Sequence, residues 1–313
     1  MPTHDDADKL YKQALEAGRR GDDPQATTLF EQALTFNLAK TVDDLGKPAQ
    51  AEPYYHQALT LYQTLPDTQR DQATCLHNLA ANLATRGKSA EAEPHYRQAL
   101  TLYQKLPGTE HNQANCLLSL ANTLRELGKP ADAEPYFRQA LTLYQGIPNT
   151  QRKQATCLYN LANTLDDLGK LAEAEPYYRQ ALTLYQDIPN TEENQANCLY
   201  NLANTLDDLG KPAQAEPYYR QALTLYQTLP GTEHNQAACL KNLANTLDDL
   251  GKPAQAAPYY HQALTLYQAI PNTEEQQATC LHLLANTLAD LGKPADAEPY
   301  YRQALTLYQD IPN

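Results

Sequence analysis

Hydrophobic residues in the segment 150–190 form two successive helical stripes. In the first stripe, apolar side chains recur three and four positions apart, which places them on one face of an α-helix. Its members are Ala155, Leu158, Leu161, Ala162 and Leu165. Thr150 precedes the stripe as a candidate N-cap, and Gly169 follows it as a left-handed C-cap. The pattern predicts a helix, here called helix A, between these two residues.

The second stripe predicts a helix B from about Leu171 to Tyr185. Its inward positions are Ala174, Tyr178, Ala181, Leu182 and Tyr185. The tripeptide Ile188-Pro189-Asn190 ends the segment, since proline cannot continue a helix. One segment of 41 residues therefore encodes an antiparallel pair of helices.

The same segment recurs along the chain. Seven glycines that follow helix A and six cysteines within it are each 41 residues apart, and internal repeats on this scale indicate stacked helix pairs. The cysteines are Cys75, Cys116, Cys157, Cys198, Cys239 and Cys280. Seven units leave 26 residues at the front of the 313-residue chain.

The front of the chain departs from the regular step, because Gly21 and Gly46 are only 25 residues apart. We expect one long helix from about Pro24 to Leu45 to serve both the first hairpin and the next unit, which makes 15 helices in all. The predicted organisation is the N-terminal helix of an atypical first hairpin in residues 1–26. Seven helix-pair units in residues 27–313 then form one continuous solenoid.

Leu161-Ala162, Leu165, Gly169, Ala174, Tyr178 and Ala181 resemble the signature of the tetratricopeptide repeat (TPR). The longer unit, with its Ala-Glu-Pro-Tyr-Tyr-Arg-Gln-Ala-Leu run, is similar to the kinesin-light-chain-like variety of bacterial proteins. The resemblance implies an all-α fold, a right-handed superhelical α-solenoid of antiparallel helix pairs. It also implies that the A helices line a concave face where partners bind.

Two columns of side chains on the predicted concave face are candidates for ligand binding. The first varies between units and contains Tyr159, Tyr200, Lys241 and His282, together with His77 and Leu118. This variation indicates contact with solvent or ligand, and drift of an unimportant surface is the alternative. The second column is nearly constant and contains Asn122, Asn163, Asn204, Asn245 and Asn286. A carboxamide donates and accepts, so these residues would bind a peptide backbone, unless each bonds to a neighbouring helix.

Acidic pairs form a third column, with Asp166, Asp207 and Asp248 as the first member of each pair. Aspartate near a helix C-terminus is unfavourable with respect to the macrodipole, so helix stability does not explain the choice. One interpretation is an acidic inner wall that recruits basic segments. The alternative is a solubilising surface partly paired with nearby cations such as Lys170 and Arg179.

Composition narrows the function further. A net charge of −13 disfavours nucleic acid and membrane partners, which require clustered Lys and Arg. The absence of a long apolar run or an apolar N-terminus predicts a cytoplasmic protein. Cysteines 41 residues apart are expected to be buried thiols rather than disulfides or metal ligands. Scattered histidines and the lack of catalytic motifs predict no enzymatic activity, and we expect no cofactor and no metal.

Pro176 and its six equivalents lie inside helix B, where proline costs about 3 kcal/mol. Our hypothesis is that each proline kinks its helix and helps to set the superhelical curvature.

The leading interpretation is a protein-interaction scaffold that binds an extended, basic peptide segment along its concave face. The alternative is an architectural spacer or sensor segment of a larger regulatory protein, with little ligand affinity of its own. Because residues 300–313 copy an internal helix B, we also expect either a fragment of a longer chain or end-to-end self-association through the uncapped C-terminal repeat.

Overall fold

The computed structural model describes the backbone of residues 23–311 and the side chains of residue 31 and residues 34–311. This part of the chain contains fourteen α-helices and no strand. The helices are α1 Asp23–Asp44, α2 Pro48–Gln63, α3 Gln69–Thr85, α4 Ser89–Gln104, α5 Glu110–Glu126, α6 Pro130–Gln145, α7 Gln151–Asp167, α8 Leu171–Gln186, α9 Glu192–Asp208, α10 Pro212–Thr228, α11 Glu233–Asp249, α12 Pro253–Ala269, α13 Glu274–Asp290 and α14 Pro294–Asp310.

The chain forms two compact units, residues 1–150 and residues 151–313. In each unit, every described helix packs against the next helix along the chain, as expected for stacked helix pairs. The second unit holds four complete pairs, α7–α8, α9–α10, α11–α12 and α13–α14. The all-α solenoid fold predicted from the repeat is confirmed. A single continuous solenoid over residues 27–313 stays a prediction.

Both helices predicted from the segment 150–190 are present, as α7 and α8. The long helix expected near the front is α1, which begins at Asp23 and therefore spans the proposed boundary between residues 26 and 27. The fifteenth helix of the prediction, in the first hairpin, lies outside the described residues.

The glycine caps are confirmed. Gly169 has a φ of +69°, a conformation that side chains with a Cβ rarely adopt. Its amide donates to the Asp166 carbonyl at 2.8 Å, and the Lys170 amide donates to the Leu165 carbonyl at 2.8 Å. These two bonds form a Schellman motif that ends α7 and reverses the chain into α8.

The threonine that precedes an A helix makes hydrogen bonds that the N-cap prediction did not include. Thr191 occupies the N-cap position of α9, but its side chain makes no capping hydrogen bond. Its hydroxyl instead donates backward to the carbonyls of Tyr185 and Ile188, at 2.6 and 2.8 Å. Thr150 donates in the same way to Tyr144 and Ile147. The buried threonine satisfies carbonyls that the end of a helix B leaves without a helical partner.

The core consists of small residues and leucines of the A helices packed against alanines and tyrosines of the B helices. All six cysteines are free and buried, as predicted. Burial raises the pKa of the Cys198 thiol to about 12, and the thiol donates to the Tyr178 carbonyl at 3.1 Å. Burial raises the thiol pKa of Cys75, Cys116, Cys239 and Cys280 as well, which favours the protonated form of these packing residues.

Pro176 and its equivalents are exposed on helices that continue through them without a break. The proline removes one helical hydrogen bond and lies on the solvent side of its helix. The proposed link between these prolines and curvature stays a hypothesis.

Candidate functional site

The A-helix wall of the second unit is defined here by the predicted site residues on α7, α9, α11 and α13. It contains every predicted site residue except Asn122, which lies half-buried on α5 in the first unit. The three predicted columns recur once per A helix because the 41-residue repeat returns each residue to the same helical position.

The asparagine column is bound into the junctions between repeats through its oxygen atoms. Asn204 Oδ1 accepts from the Tyr219 hydroxyl at 2.6 Å and from Asn242 Nδ2 of the next A helix at 2.9 Å. Asn163 repeats both bonds with Tyr178 and Asn201. The carboxamide oxygen therefore makes the neighbouring-helix contact that was the alternative to peptide binding.

The same bonds fix the orientation of the amide groups. In Asn163 and Asn245, Nδ2 makes no hydrogen bond within the described part of the chain, and it is not among the buried atoms that lack a partner. These two nitrogens are donors at the surface of the wall, whereas the Asn204 amide has a side-chain hydrogen bond with Tyr200 that acts to lower the pKa of that phenol. The expectation of a group that both donates and accepts is corrected, since only the donor half is available to a ligand. At α13, Asn286 is exposed and accepts only from Tyr301, at 2.7 Å.

The variable column also packs between helices. The rings of Tyr200 and Tyr219 meet edge to face with centroids 6.0 Å apart, and the Tyr200 hydroxyl accepts from Asn242 at 3.0 Å. Tyr159 makes the same contacts with Tyr178 and Asn201. These tyrosines are half-buried, so only part of each ring faces solvent.

Exposure in this column changes along the chain. Leu118 is only 6% exposed, whereas His282 is exposed and lies edge to face against Tyr301. Lys241 is half-buried on α11, and its ammonium acts to lower the pKa of the Cys280 thiol, although burial still raises that pKa to about 11. The variation in residue type thus accompanies a variation in packing environment.

The first aspartate of each pair is an acceptor at the junction between repeats. Asp207 Oδ2 accepts from the Thr246 hydroxyl of the next A helix at 2.6 Å. Asp248 Oδ2 accepts from Thr287 at 2.7 Å and from Tyr260 at 3.1 Å. In Asp166, Asp207 and Asp248 the other oxygen, Oδ1, is buried and has no partner. A half-buried carboxylate with one unsatisfied oxygen is costly to ionise.

Burial is accordingly the main cause that raises the pKa of Asp207, and the carboxylates of Asp249 and Asp208 raise it further. Asp166 and Asp248 show the same shift with the same causes. The second aspartate of the next repeat, such as Asp249, is among the groups that raise the pKa of the first aspartate, such as Asp207. These two carboxylates therefore interact across the junction between the repeats. The second aspartates, Asp167, Asp208 and Asp249, are exposed. The acidic character that a ligand would meet therefore comes from the second member of each pair.

Arg179, one of the two cations that the sequence offered as partners for these aspartates, has other partners. Arg179 binds Glu175 at 2.9 Å and donates to the Tyr218 hydroxyl of the next B helix. In the next pair, Glu216 binds Arg220 at 2.9 Å and Lys252 at 2.8 Å. The hydrogen bond from Lys252 is the main cause that lowers the pKa of Glu216. The B helices therefore carry their own ladder of ion pairs.

Sequence reasoning missed two groups of junction residues. One is the threonine column at Thr205, Thr246 and Thr287, and the other is the Glu, Arg, Lys and Tyr ladder on the B helices. The sequence does contain a signal for the threonine column. The threonine of Asn-Thr-Leu recurs in nearly every unit although it is a polar residue between core positions.

No group of three or more His, Cys, Asp or Glu side chains able to hold a metal ion occurs among residues 23–311. In the same range, no helix has the length and hydropathy required to cross a bilayer.

The repeated helix pairs and the junction network define a class of stacked-repeat proteins that present one wall of helices to a partner. The tetratricopeptide repeat family model matches residues 29–105, 72–146, 113–187, 153–228, 194–269 and 236–310, and the chain belongs to this family. Tetratricopeptide repeats are modules for protein interaction, and the chain is a protein-interaction scaffold at this level of description. No curated protein sequence matches the chain.

Three solved structures share the fold. A kinesin-light-chain-type protein of nearly identical TPR-like repeats from Podosopora anserina is 15% identical with a TM-score of 0.54, covering 65% of this chain and 97% of its own. RapI is 14% identical with a TM-score of 0.66, and the match covers 89% of this chain and 98% of RapI. YrrB, a TPR protein described with an unusual peptide-binding site, is 19% identical with a TM-score of 0.50, and the match covers 66% of this chain and 93% of YrrB. The predicted resemblance to kinesin-light-chain-like TPR proteins is confirmed.

Proposed function

We propose that the A-helix wall of the second unit binds an extended, basic segment of a partner protein. The observation that carries this proposal is the row of exposed carboxylates Asp167, Asp208 and Asp249 beside the amide donors of Asn163 and Asn245. On the B helices, by contrast, arginine and lysine side chains are paired with glutamates. Opposite charge on a partner would raise both its encounter rate and its selectivity.

Charge is unevenly distributed between the two units. Residues 151–313 contain ten Lys and Arg against nineteen Asp and Glu, a net charge of −9, whereas residues 1–150 carry −4. A basic segment would therefore favour the second unit.

Each kind of side chain on the wall has a distinct task in this proposal. Nδ2 of Asn163 and Asn245 would donate to carbonyl oxygens of the ligand backbone, whatever its side chains. The exposed aspartates would select lysine and arginine. Tyr159 and Tyr200 would offer partly exposed rings, and a cation over such a ring gains further stabilisation. YrrB, whose structure has the same fold and a peptide-binding site, lends general support.

The charge-removing variant Asp167→Asn, Asp208→Asn, Asp249→Asn tests the proposal. These side chains are exposed, so the fold should be preserved. At low salt, a fluorescent lysine-rich peptide should bind the variant about tenfold more weakly, given roughly 0.5 kcal/mol for each exposed charge contact. The salt dependence of binding should fall as well.

A matched control removes three exposed aspartates away from the wall, with Asp132→Asn, Asp187→Asn and Asp296→Asn. This control should bind the peptide as the unmodified chain does. Equal weakening by both variants would reduce the effect to net charge and contradict a site on the wall. If neither lysine-rich nor glutamate-rich peptides bind the unmodified chain, the spacer or sensor function becomes the better account.

We further propose that the protein acts without catalysis and does not bind nucleic acid. The family's use as an interaction module supports the first statement, and the net charge of −9 in the second unit supports the other. A cytoplasmic location stays a prediction from the sequence.

A further inference from the structure

The last helix pair leaves an apolar surface exposed, here called the tail face. Its apolar members, Tyr301, Leu305 and Tyr308, are 39%, 59% and 44% exposed. The equivalent side chains of α12 are 1%, 6% and 2% exposed, because α13 packs against them. These equivalents are Tyr260, Leu264 and Tyr267. The tail face is thus the surface of a helix B that elsewhere receives the next helix A.

A complementary surface lies on α1 and α2, here called the head face. Leu34 and Leu38 are 71% and 42% exposed, and they stand 41 residues before the buried Cys75 and Leu79. The cysteine position faces the preceding helix B, since the Cys75 thiol donates to the Tyr55 carbonyl of α2 at 3.3 Å. The head face therefore offers the surface of a helix A that elsewhere contacts the preceding helix B.

The residue pairs that make polar contacts at the internal junctions also have equivalents on these faces. One member of each pair lies on the tail face and the other lies on the head face. Internally, Lys252 of one repeat binds Glu216 of the preceding repeat at 2.8 Å. On the tail face the glutamate equivalent is Glu298, which is 62% exposed and binds only its own Arg302 among the described residues. On the head face the lysine equivalent is Lys47, which is exposed and has no ion pair in the described part of the chain.

Two further contacts follow the same rule. Asn242 donates to Asn204 of the preceding repeat at 2.9 Å, and the exposed equivalents are Asn37 on the head face and Asn286 on the tail face. Arg220 donates to Tyr259 of the next repeat at 2.7 Å. The corresponding halves are Arg302 on the tail face and Tyr54 on the head face.

We propose that the tail face binds the head face of a second copy of this chain, with α1 of the second copy placed as α13 is placed on α12. The contact buries apolar surface on both sides and pairs Glu298 with Lys47. Because the two faces differ, the contact is heterologous, and addition of further copies can continue. This proposal does not depend on peptide binding by the A-helix wall.

Two blocking variants test the proposal by sedimentation velocity over about 1 μM to 1 mM protein. Leu305→Glu blocks the tail face and Leu38→Glu blocks the head face, and both positions are exposed, so the fold should tolerate the change. The unmodified chain should show an average mass that rises with concentration. Each blocked variant alone should remain a monomer, and their equimolar mixture should form a dimer and nothing larger.

A matched variant, Gln98→Glu, adds the same charge at an exposed position of α4 and should associate as the unmodified chain does. Circular dichroism should give the same helix content for all variants. An unmodified chain that stays monomeric at every concentration would overturn the proposal. Dimerisation of Leu38→Glu alone would also overturn it, because that result requires a tail-to-tail contact.

Discussion

At the scale of single residues, the wall combines atoms that contact a neighbouring repeat with atoms that face solvent. Asn163 uses its oxygen at the junction and leaves its nitrogen at the surface. Asp207 is an acceptor at the junction, while its neighbour Asp208 is exposed. The repeat can therefore vary its exposed atoms without disturbing the contacts that stack it.

The Thr246 hydroxyl is expected to control the ionisation of Asp207. In Thr246→Val the carboxylate loses its donor, which should raise the pKa of Asp207 further and lower the free energy of unfolding at neutral pH by about 1–2 kcal/mol. Carboxyl-carbon NMR titration and urea unfolding measure the two effects. Thr224→Val, at an exposed position of α10, is the control and should change neither quantity.

A second change copies a junction already present in the chain. Asn82 replaces threonine there, and its Nδ2 donates to Asp43 Oδ1 at 2.9 Å. Thr246→Asn removes the donor to Asp207 Oδ2 but should give Oδ1 a donor, so the pKa of Asp207 should be lower than in Thr246→Val. Since a raised folded-state pKa opposes folding above that pKa and the penalty disappears as pH falls, Thr246→Asn should gain less stability on acidification than Thr246→Val. Equal pKa values of Asp207 in the two variants would contradict the proposed geometry.

At the scale of helices, hydrophobic spacing predicted α7 and α8 almost to the residue, because stripe and glycine signals coincide. The function of Thr191 could not be predicted in this way. A threonine before a helix reads as an N-cap, and only the fold brings the Tyr185 carbonyl of the preceding helix within reach of its hydroxyl. Contacts across repeats, such as the hydrogen bond from Thr246 to Asp207, could likewise not be predicted from local sequence patterns.

Substitutions of Thr191 distinguish capping from backward donation. Aspartate is a strong N-cap but has no hydrogen to donate when ionised, so Thr191→Asp should lower the free energy of unfolding by about 1–3 kcal/mol. Thr191→Ser keeps the hydroxyl and should retain most of the stability. Chemical denaturation compares the two. Aspartate equal to or better than threonine would show that the side chain acts as a cap.

The B-helix ladder is interrupted at Ala257, which stands where Glu216 stands one repeat earlier. Ala257→Glu should bind Lys293, as Glu216 binds Lys252, and increase the free energy of unfolding by about 0.5 kcal/mol. Lysine lowers the folded-state pKa of such a glutamate, so the gain should be present above the ordinary value of 4.5 and disappear as pH falls through the folded pKa. Gln262→Glu, exposed on the same helix, should give no comparable gain.

At the scale of the molecule, repetition turns a few atoms per unit into rows. Three exposed aspartates, Asp167, Asp208 and Asp249, and the amide donors of Asn163 and Asn245 recur on the second unit's wall. Their individual contributions to binding are small, but a segment that contacts several repeats adds them. The sequence predicted which columns face the wall, whereas the fold determined which atoms of each column remain available.

The central claim is tested most directly by titrating the unmodified chain with two extended peptides of equal length, one lysine-rich and one glutamate-rich, at low and high salt. The account predicts binding of the lysine-rich peptide at low salt, weakened at high salt, and no comparable binding of the glutamate-rich peptide. Preference for the glutamate-rich peptide would contradict it.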